Sequence, residues 1–509
     1  MKLRELLAAQ PENRLVRDGD DPEIAAIRYD SRLVRPHDLF VAVNGFHTNG
    51  HRYVRQAVER GAVAVVVQEG ELLADPGQWS DESHRLPVVA VPDSRRALGR
   101  LAAAFYGYPS RKLRVVGVTG TDGKTTTTFL INTLLEHAGY RTGLLGTVQF
   151  KVDQRSWANE SRQTTPEAPE VQAMLAEMVN AGVDYAIVES TSHALALDRV
   201  TDCDYDVAVL TNVTSDHLDF HGTRDQYLQA KARLFQSLST ATDKGVPKVG
   251  ILNADDPAAA FFRQVSPPNV ITYGLTAEAD IFARELRLAG SGTTGEICTP
   301  LGAVDFHLRM PGLFNVYNAL AAAAVGISQG VGLDQIGAAL QSAAGVPGRM
   351  ESIDCGQPFA VIVDYAHTAD SLQKVLEVVR PLATGRVLVV FGCAGERDKS
   401  KRPKMGRVAG ELADFLFLTN EDPRLEDAQT IIEEIATGAR AAGRREGIDY
   451  LKIEDRREAI RIAFERARAG DLVLLAGKGH ESSIIVGTEK MPWDDRQAAR
   501  EALLELGYK

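Results

Sequence analysis

The sequence has few cysteines, and none of them lie at metal-binding spacing. The four are scattered over 509 residues without a Cys-x-x-Cys motif, at Cys203, Cys298, Cys355 and Cys393. Thiolate zinc sites and disulfide-stapled secreted folds both need clustered cysteines. We therefore expect neither.

Long hydrophobic runs and an excess of positive charge are also missing. No stretch approaches the roughly 20 apolar residues that cross a membrane. The first residues include Glu5 and have no sustained apolar core, unlike a signal peptide. The formal net charge is −11, which argues against a nucleic-acid-binding surface. We expect a cytoplasmic protein that is not embedded in a membrane and binds no nucleic acid.

The chain is long and apolar enough for several packed cores. Its hydrophobic content is 44%, and its length suggests about three domains. Pro109 and Ser110 form a plausible linker, and the Val-Pro-Gly-Arg sequence at 346–349 forms a turn-rich junction. The predicted domains are therefore 1–108, 109–345 and 346–509.

Buried strands alternate with helical patterns, which predicts an α/β fold with parallel sheets. The strands are expected at 39–43, 62–67, 186–189, 249–253, 360–363, 387–391 and 472–475, and helices at 53–59 and 457–468.

The most informative segment is a predicted strand, glycine-rich turn and helix at 115–139. Glycines let backbone N–H groups close on phosphate oxygens, and the helix N-terminus adds partial positive charge. Lys124 can reach terminal phosphates, and the Thr125 hydroxyl can ligate Mg²⁺. The predicted ATP-binding residues of this loop are Gly120, Thr121, Asp122, Gly123, Lys124, Thr125 and Thr126.

The loop departs from the usual phosphate-loop spacing. Val118 stands where the first glycine is usual, so a glycine turn with a surface lysine is the plainer alternative. The flanking strand and helix favour the phosphate site.

Polar residues end the predicted strands, where ligands gather in open α/β sheets. Glu189 is the candidate carboxylate for Mg²⁺, which prefers oxygen ligands; a helix N-cap or a surface acid is the alternative. His193 and His217 follow nearby, and isolated histidines are more often structural than ligands.

Seven further clusters occur in order along nearly the whole chain. They are Glu-Ser-Thr-Ser-His-Ala-Leu at 189–195, Thr-Asn-Val-Thr-Ser-Asp-His-Leu-Asp at 211–219, Tyr-Leu-Gln-Ala-Lys at 227–231, Asn-Ala-Asp-Asp at 253–256, Pro-Gly-Leu-Phe-Asn-Val-Tyr-Asn at 311–318, Asp-Tyr-Ala-His-Thr at 364–368 and Gly-Lys-Gly-His-Glu at 477–481. With these clusters the chain resembles the Mur ligases, ATP-dependent amide-forming enzymes of peptidoglycan synthesis.

The resemblance implies a central P-loop-type parallel-sheet domain that binds ATP. An N-terminal nucleotide-sugar-binding α/β domain and a C-terminal Rossmann-like domain for the amino acid would flank it. Within the family, the chain is most similar to members that add meso-diaminopimelate, L-lysine or L-ornithine to UDP-N-acetylmuramoyl-L-alanyl-D-glutamate. ATP would phosphorylate a carboxylate, and the amine would attack the acyl phosphate. Mg²⁺ and lysines would screen charge between the two anions.

The resemblance also implies the residues that act on ATP and metal. The catalytic residues are Lys124, Glu189, His217 and Lys231, with His217 favoured over His193. The metal ligands are Thr125, Glu189, His217 and Lys231, the last as a CO₂-derived carbamate; the alternative is a solvated helix lysine. Further ATP contacts are Asn315, Asn318, Arg349 and Asp364, although turn and N-cap roles also suit the two asparagines.

Two substrate sites follow from the same resemblance. UDP-muramoyl-dipeptide contacts fall on Tyr29, Ser31, Phe46, His47, Thr48, Gln163, Thr164, Thr165, Thr191, Leu197 and Arg199. Gln163 stands where asparagine is usual, and Leu197 has no side chain to hydrogen-bond. The amino-acid site falls on Arg397, Glu421, Asp422, Pro423, Arg424, Gly477 and Glu481.

The identity of the added amino acid stays open at this point. Relatives that add diaminopimelate carry Asp-Asn-Pro-Arg where this chain has Glu421 to Arg424. Arg424 could pair with a distal carboxylate, whereas the extra charge on Asp422 should repel it and favour lysine or ornithine. The two signals conflict.

Three alternatives compete with this function. Another Mur or folylpolyglutamate-type ligase is disfavoured by the N-terminal domain and the 421–424 segment. A P-loop switch protein would leave the third domain without a role. A homologue that only binds is disfavoured because all four catalytic candidates are present. We expect a monomer that acts on small molecules.

Overall fold

The computed structural model describes residues 1–45, 48–71, 86–159, 161, 163–214, 218–290 and 292–509. These residues form two compact units. The first comprises Met1–Tyr273 with Ala324–Gly330, and the second Gly274–Ala323 with Val331–Lys509. The domain boundaries expected after residues 108 and 345 stay a prediction.

The first unit begins with a five-stranded sheet in the order β1-β5-β4-β3-β2. Its elements are α1 (Leu3–Leu7), β1 (Arg14–Arg17), β2 (Ala26–Arg28), β3 (Asp38–Val41), α2 (Val54–Glu59), β4 (Ala64–Gln68), β5 (Val88–Val91) and α3 (Ser94–Phe105). Strands β2 to β5 are parallel and β1 is antiparallel. The valine runs of β4 and β5 are buried on both faces, as parallel sheets require.

A second sheet of this unit carries the phosphate loop. Its elements are β6 (Arg114–Thr119), α4 (Lys124–His137), β7 (Thr142–Leu145), β8 (Gln149–Val152), β9 (Arg155–Ala158), α5 (Ala168–Asn180), β10 (Tyr185–Glu189), α6 (Ser192–Ala196), β11 (Val207–Leu210), α7 (Leu218–His221), α8 (Arg224–Leu238), β12 (Val249–Asn253), α9 (Ala259–Val265) and β13 (Val270–Gly274).

The strand order places the polar residues at the carboxyl ends of three strands side by side. From β13 the order is β12-β11-β6-β10-β7-β8-β9, and the strands from β13 to β7 are parallel. Strand β6 lies between β10 and β11, so Thr119, Glu189 and Thr211 emerge at the same carboxyl edge. This is the edge at which α/β sheets bind ligands.

Helix α4 forms although four threonines follow its first residue, and threonine is a poor helix former. Its apolar residues recur at helical spacing, and Leu130, Ile131, Leu134 and Leu135 are buried. Gly139, with φ of +92°, follows its end. The predicted strand–loop–helix at 115–139 is confirmed.

The second unit contains the remaining strands and helices, apart from the last residues of α10 (324–328). They are β14 (Ile281–Ala289), β15 (Gly292–Thr299), β16 (Gly302–Leu308), α10 (Leu313–Ser328), α11 (Leu333–Ser342), β17 (Glu351–Ser352), β18 (Ala360–Asp364), α12 (Ala369–Val379), β19 (Val387–Phe391), α13 (Lys401–Leu412), β20 (Phe415–Leu418), α14 (Ala428–Ala441), β21 (Tyr450–Lys452), α15 (Arg456–Arg466), β22 (Leu472–Ala476), β23 (Ser483–Val486), β24 (Glu489–Pro492) and α16 (Asp495–Glu505).

The C-terminal sheet has the order β17-β18-β22-β19-β20-β21. All its pairs except β17–β18 are parallel, as in a Rossmann-like domain. Asp364 ends β18, and Gly477 follows β22 directly. Within the described part of the chain, no helix is both long and apolar enough to cross a membrane.

Candidate active site

Two glycines shape the phosphate loop. Gly120 has a φ of +150°, and a Cβ there would lie 1.8 Å from Thr211 Oγ1. Gly123 has a φ of +83° and immediately precedes α4. Both positions favour glycine, because L side chains rarely adopt such conformations.

The residues that follow β11 form hydrogen bonds with this loop. The Asn212 carbonyl accepts the Thr121 N–H at 2.8 Å. The Asn212 side chain accepts the Asp122 N–H and donates to the Asp122 carbonyl, both at 3.0 Å. Thr211 Oγ1 donates to the same carbonyl at 2.6 Å. Thr211 and Asn212 lie in a motif recognised from the sequence, but no role was predicted for either residue.

Lys124 is half-buried and folds over its own loop. Its Nζ donates to the Gly120 carbonyl at 3.1 Å and to the Thr121 carbonyl at 2.8 Å. The plainer alternative of a surface lysine therefore does not fit. The amine lies where the glycine-rich backbone would surround a phosphate.

Glu189 is completely buried at the end of β10. Its Oε1 accepts the Thr147 N–H at 2.9 Å, and its Oε2 lies 2.9 Å from Thr147 Oγ1 and 3.1 Å from Thr125 Oγ1. Neither a surface acid nor a helix N-cap describes this side chain. The three residues gather hard oxygen donors of the kind that Mg²⁺ takes. Thr147 was not predicted from the sequence.

Lys231 is buried on α8, with 1% of its surface exposed. Its Nζ donates to the Gly120 carbonyl at 2.6 Å and lies 4.3 Å from the centre of the Tyr227 ring. The Tyr227 hydroxyl lies 3.0 Å from Thr121 Oγ1. The solvated helix lysine considered from sequence is therefore wrong, and the side chain reaches the phosphate loop.

The two histidines considered from the sequence have different outcomes. His217 lies outside the described residues. His193 stacks on Phe220 at 4.2 Å between ring centres, a packing contact that suits a structural histidine.

A cavity of about 530 Å³ joins the N-terminal sheet to the central one. Five predicted nucleotide-sugar contacts line it, namely Tyr29, Ser31, Thr48, Gln163 and Arg199. Phe46 and His47 lie outside the described residues. The structure thus brings these five predicted residues together in one place.

The other predicted nucleotide-sugar contacts, on the central domain, are not among the residues that line this cavity. Thr164 Oγ1 lies 3.1 Å from Thr147 Oγ1, and Thr165 Oγ1 donates to the Glu189 carbonyl at 2.6 Å. Thr191 caps α6 by accepting the Ala194 N–H. Leu197 directly follows α6 as its C-cap.

Two arginines share one carboxylate on the wall of the cavity. Arg199 Nη2 lies 2.8 Å from Glu167 Oε1, and Arg95 Nη1 lies 3.6 Å from Glu167 Oε2. Of these three residues, only Arg199 was predicted from the sequence. Glu167 lies two residues after the predicted Thr165, and this proximity in sequence is the signal that could have found it.

The C-terminal candidates Asp422 and Glu481 contact a buried lysine for which no role was predicted from the sequence. Lys478 is fully buried; its Nζ lies 2.8 Å from Asp422 Oδ1 and 2.6 Å from Glu481 Oε2. Asp422 Oδ1 also accepts the Ile485 N–H at 3.0 Å. Asp422 and Glu481 therefore share one ammonium, so the negative charge expected on Asp422 is compensated only in part.

Three family models match consecutive parts of the chain. The Mur ligase family catalytic domain matches residues 23–106, the Mur ligase middle domain 118–326, and the Mur ligase glutamate ligase domain 348–479. A UDP-N-acetylmuramyl-tripeptide synthetase of Roseiflexus sp. (strain RS-1) is 53% identical, with 96% of each chain covered. This chain belongs to the Mur ligase family.

Two further relatives agree with that placement. A UDP-N-acetylmuramoyl-L-alanyl-D-glutamate–2,6-diaminopimelate ligase of Geobacillus thermodenitrificans (strain NG80-2) is 44% identical over 99% of this chain and 100% of its own. A solved structure of an enzyme with the same name has a TM-score of 0.71 at 30% identity, with both chains fully covered. The predicted three-domain α/β class and the ligase family are thereby confirmed.

In this Mur ligase, Glu421 and Arg424 of the predicted amino-acid site each have a buried polar atom without a hydrogen-bond partner. Glu421 is buried, its Oε2 has no hydrogen-bond partner, and burial raises the pKa of its carboxyl. Arg424 has a φ of +54° and a buried Nε without a partner. Gly477 leaves room beside Glu421, since a Cβ there would lie 3.0 Å from Glu421 Oε2.

The loop at 394–400 and the segment at 421–424 lie against each other. The Gly395 N–H donates to the Asp422 carbonyl at 2.7 Å, and a Cβ at Gly395 would lie 2.0 Å from the Pro423 carbonyl oxygen. Arg397, on this loop, is exposed.

The asparagines predicted to contact adenine are buried. Asn315 donates to the Pro311 carbonyl at 2.8 Å, and Asn318 donates to Asn315 Oδ1 at 3.1 Å. Both residues lie within α10 rather than at its N-cap or in a turn, and these contacts join them to its first turns.

Arg349 and Asp364 lie close to each other in the second unit. Asp364 accepts the Met350 N–H at 2.8 Å and the Ala366 N–H at 2.9 Å, and burial raises the pKa of its carboxyl. Arg349 lies 5.8 Å from the centre of the Tyr365 ring, and its buried Nε has no partner. Its guanidinium therefore retains a donor for an anion.

Proposed function

We propose that this Mur ligase uses ATP to add a diamino acid to UDP-N-acetylmuramoyl-L-alanyl-D-glutamate, releasing ADP and phosphate. One observation carries the proposal: Lys124 and Lys231 both donate to the Gly120 carbonyl, on the loop whose Thr125 contacts Glu189. Two lysine side chains and a cluster of hard oxygens thus meet at one phosphate loop. The printed names of the relatives agree with this substrate.

The loop residues would act on ATP. Backbone N–H groups of 120–126 would hold the phosphates, and Lys124 would neutralise charge on the transferred group. The oxygens of Thr125 and Glu189 fit Mg²⁺, which when bound would neutralise phosphate charge. A carbamate on Lys231, with His217, is proposed to complete the metal ligands. Burial and nearby cations are the conditions under which a lysine gives up its proton.

The chemistry requires two anions to approach each other. The substrate carboxylate would attack the γ-phosphorus, giving an acyl phosphate and ADP. The acceptor amine would then attack the acyl carbon and expel phosphate. Asn315, Asn318, Arg349 and Asp364 stay proposed ATP contacts, and of these the unpartnered Arg349 Nε gives the best support.

The N-terminal cavity would hold the nucleotide-linked substrate. Its volume of about 530 Å³ suits a large polar ligand. The proposed contacts are Tyr29, Ser31, Phe46, His47, Thr48, Gln163, Thr164, Thr165, Thr191, Leu197 and Arg199. Since ATP is the co-substrate, we place the reaction in the cytoplasm.

The C-terminal site would take the diamino acid through opposite charges. Asp422 and Glu481 share the single ammonium of Lys478, so the three groups keep one net negative charge that suits a substrate ammonium. Arg424 would receive a carboxylate. The proposed site also includes Arg397, Glu421, Pro423 and Gly477. Diaminopimelate, lysine and ornithine all offer both groups, so all three remain candidates.

An acceptor panel tests the proposal. Purified protein is given ATP, Mg²⁺ and UDP-muramoyl dipeptide, with each diamino acid supplied separately and phosphate release measured. Phosphate release that depends on one acceptor, with a UDP-muramoyl tripeptide detected by mass, is the expected result. Acceptor-independent hydrolysis, or stimulation by a folate instead, would contradict it.

The role of Lys231 has its own experiment. Lys231→Arg keeps the positive charge but cannot form the same carbamate, so we expect activity to fall at least a hundredfold. Lys231→Ala should regain part of its activity with added acetate, a small carboxylate. Lys112→Arg is the control, because Lys112 is an exposed lysine of the same unit and should tolerate the change. Unchanged activity in Lys231→Arg would exclude the carbamate.

A further inference from the structure

The charges on the wall of the N-terminal cavity do not cancel. Arg32 Nη2 lies 2.7 Å from Asp30 Oδ2, so these two residues neutralise each other. Glu167 is the only other carboxylate among the described lining residues, and it is shared by Arg95 and Arg199. The charged side chains that line the cavity therefore carry one net positive charge, and it lies beside the carboxylate that Arg95 and Arg199 share.

Arg199 has a donor without an acceptor. It is 7% exposed, its Nη1 donates to the Thr165 carbonyl at 3.2 Å, and its Nε is buried with no hydrogen-bond partner. A buried donor left unsatisfied is costly. A ligand that brings an oxygen acceptor would remove that cost.

Arg95 reaches the same wall from the first domain. It lies in the first turn of α3, which Asp93 caps, and its Nε donates to the Asn44 carbonyl at 3.0 Å. In the sequence, Asn44 and Gly45 immediately precede the predicted nucleotide contacts Phe46, His47 and Thr48. The backbone bond fixes the guanidinium plane, and the carboxylate of Glu167 fixes its far end.

We propose that Arg95 binds an oxyanion of the nucleotide-linked substrate, with Glu167 positioning it beside Arg199. The oxyanion is assigned to the diphosphate, because Arg95 belongs to the domain that holds the nucleotide. Guanidinium groups suit phosphate because they present parallel donors. This inference rests on the proposed function, of which it names a further binding residue.

Direct binding of UDP to the full chain, measured by calorimetry, tests the assignment. We expect Arg95→Met to weaken UDP binding about tenfold, the range of a charge-assisted hydrogen bond, and Arg95→Lys to recover part of the loss. The difference should shrink in high salt. Arg96→Met is the matched control, since Arg96 is the exposed neighbour on the same helix and should leave UDP binding unchanged.

Steady-state kinetics provide the second measurement. In Arg95→Met the KM for UDP-muramoyl dipeptide should rise about tenfold, with the KM for ATP and the kcat little changed. A loss seen only with the full substrate, and not with UDP, would overturn the diphosphate assignment in favour of a dipeptide carboxylate. Unchanged binding of both, or equal losses in Arg96→Met, would overturn the proposal. If wild type binds UDP through Arg95 but forms no amide, the proposed function fails and this inference stands.

Discussion

Lys478 Nζ lies 2.8 Å from Asp422 Oδ1, and neither side chain is open to solvent. This ion pair changes the charge that the segment from Glu421 to Arg424 presents to a substrate. Asp422 in place of asparagine does not add an unpaired charge, because the buried ammonium of Lys478 forms an ion pair with it. Glu481 takes a second position on the same ammonium at 2.6 Å, so the cluster as a whole keeps one negative charge.

Asp422→Asn should change which acceptor is preferred. The substitution removes the net negative charge of the Asp422–Lys478–Glu481 cluster. An acceptor with an additional carboxylate is then repelled less. We expect the ratio of kcat/KM for diaminopimelate over lysine to rise about three- to tenfold, an effect of roughly 1 kcal/mol. Glu489→Gln, at an exposed acid on β24, is the control and should leave the ratio alone. An unchanged ratio in Asp422→Asn would remove the electrostatic argument.

Lys478→Met should destabilise the C-terminal domain. It leaves two carboxylates close together without their shared cation, a change that costs about 3–5 kcal/mol for buried pairs. Chemical denaturation followed by tryptophan fluorescence measures the loss. Lys490→Met, at an exposed lysine on β24, should change stability by less than about 0.5 kcal/mol. Adding Asp422→Asn to Lys478→Met should restore part of the stability; a further loss would contradict the ion-pair explanation.

Gly120→Ala should weaken nucleotide binding. The new Cβ would lie 1.8 Å from Thr211 Oγ1, and moving Thr211 would break its bond to the Asp122 carbonyl. We expect roughly a tenfold loss of affinity or more for a non-hydrolysable ATP analogue, because overpacking of this kind costs about 1–3 kcal/mol.

Gly139→Ala is the control that distinguishes the effect of a steric clash from the effect of backbone strain. Gly139 also has a positive φ, but a Cβ there has nothing within 4 Å. The variant should lose about 1 kcal/mol of stability and keep its nucleotide affinity. Equal losses of affinity in the two variants would show that the contact with Thr211 is unimportant.

His480 should make stability fall in mild acid. Burial, and then the positive charge of Arg349, lower the pKa of its imidazole to about 4, and its Nδ1 is buried without a partner. The unfolded chain takes up this proton near pH 6.5, so the folded state loses stability as the pH falls from about 6.5 to 4.

The test of this pH dependence compares wild type with His480→Gln. Between pH 7 and pH 4 the stability difference should shift in favour of the variant by on the order of 2 kcal/mol. Unfolding midpoints in denaturant at several pH values provide the measurement. Parallel pH profiles for the two proteins would exclude the histidine as the cause.

Local patterns predicted much of what the structure contains. The phosphate loop, the strand that ends in Glu189 and the strand at 387–391 were all predicted, because runs of buried valine and leucine give strands and glycines mark the turn. Glu189 was predicted as a ligand because polar strand ends collect at one sheet edge. The resemblance added Lys231, for which sequence alone preferred solvent.

Other residues had no local signal. Thr147 contacts Glu189 across 42 positions, and Glu167 lies between two arginines, Arg95 and Arg199, that are far apart in the sequence. Lys478 belonged to a recognised motif, yet nothing near it showed that Asp422 would be its partner. Such pairings depend on which strand ends the sheet brings together.

The sequence by itself determined the α/β elements, the phosphate loop and the family to which the chain belongs, since these follow from periodicity and from short motifs. Only the tertiary structure decided which charges are compensated. An ion pair depends on distance and burial in space, and residues far apart along the chain, such as Asp422 and Lys478, acquire both only when the sheet is formed.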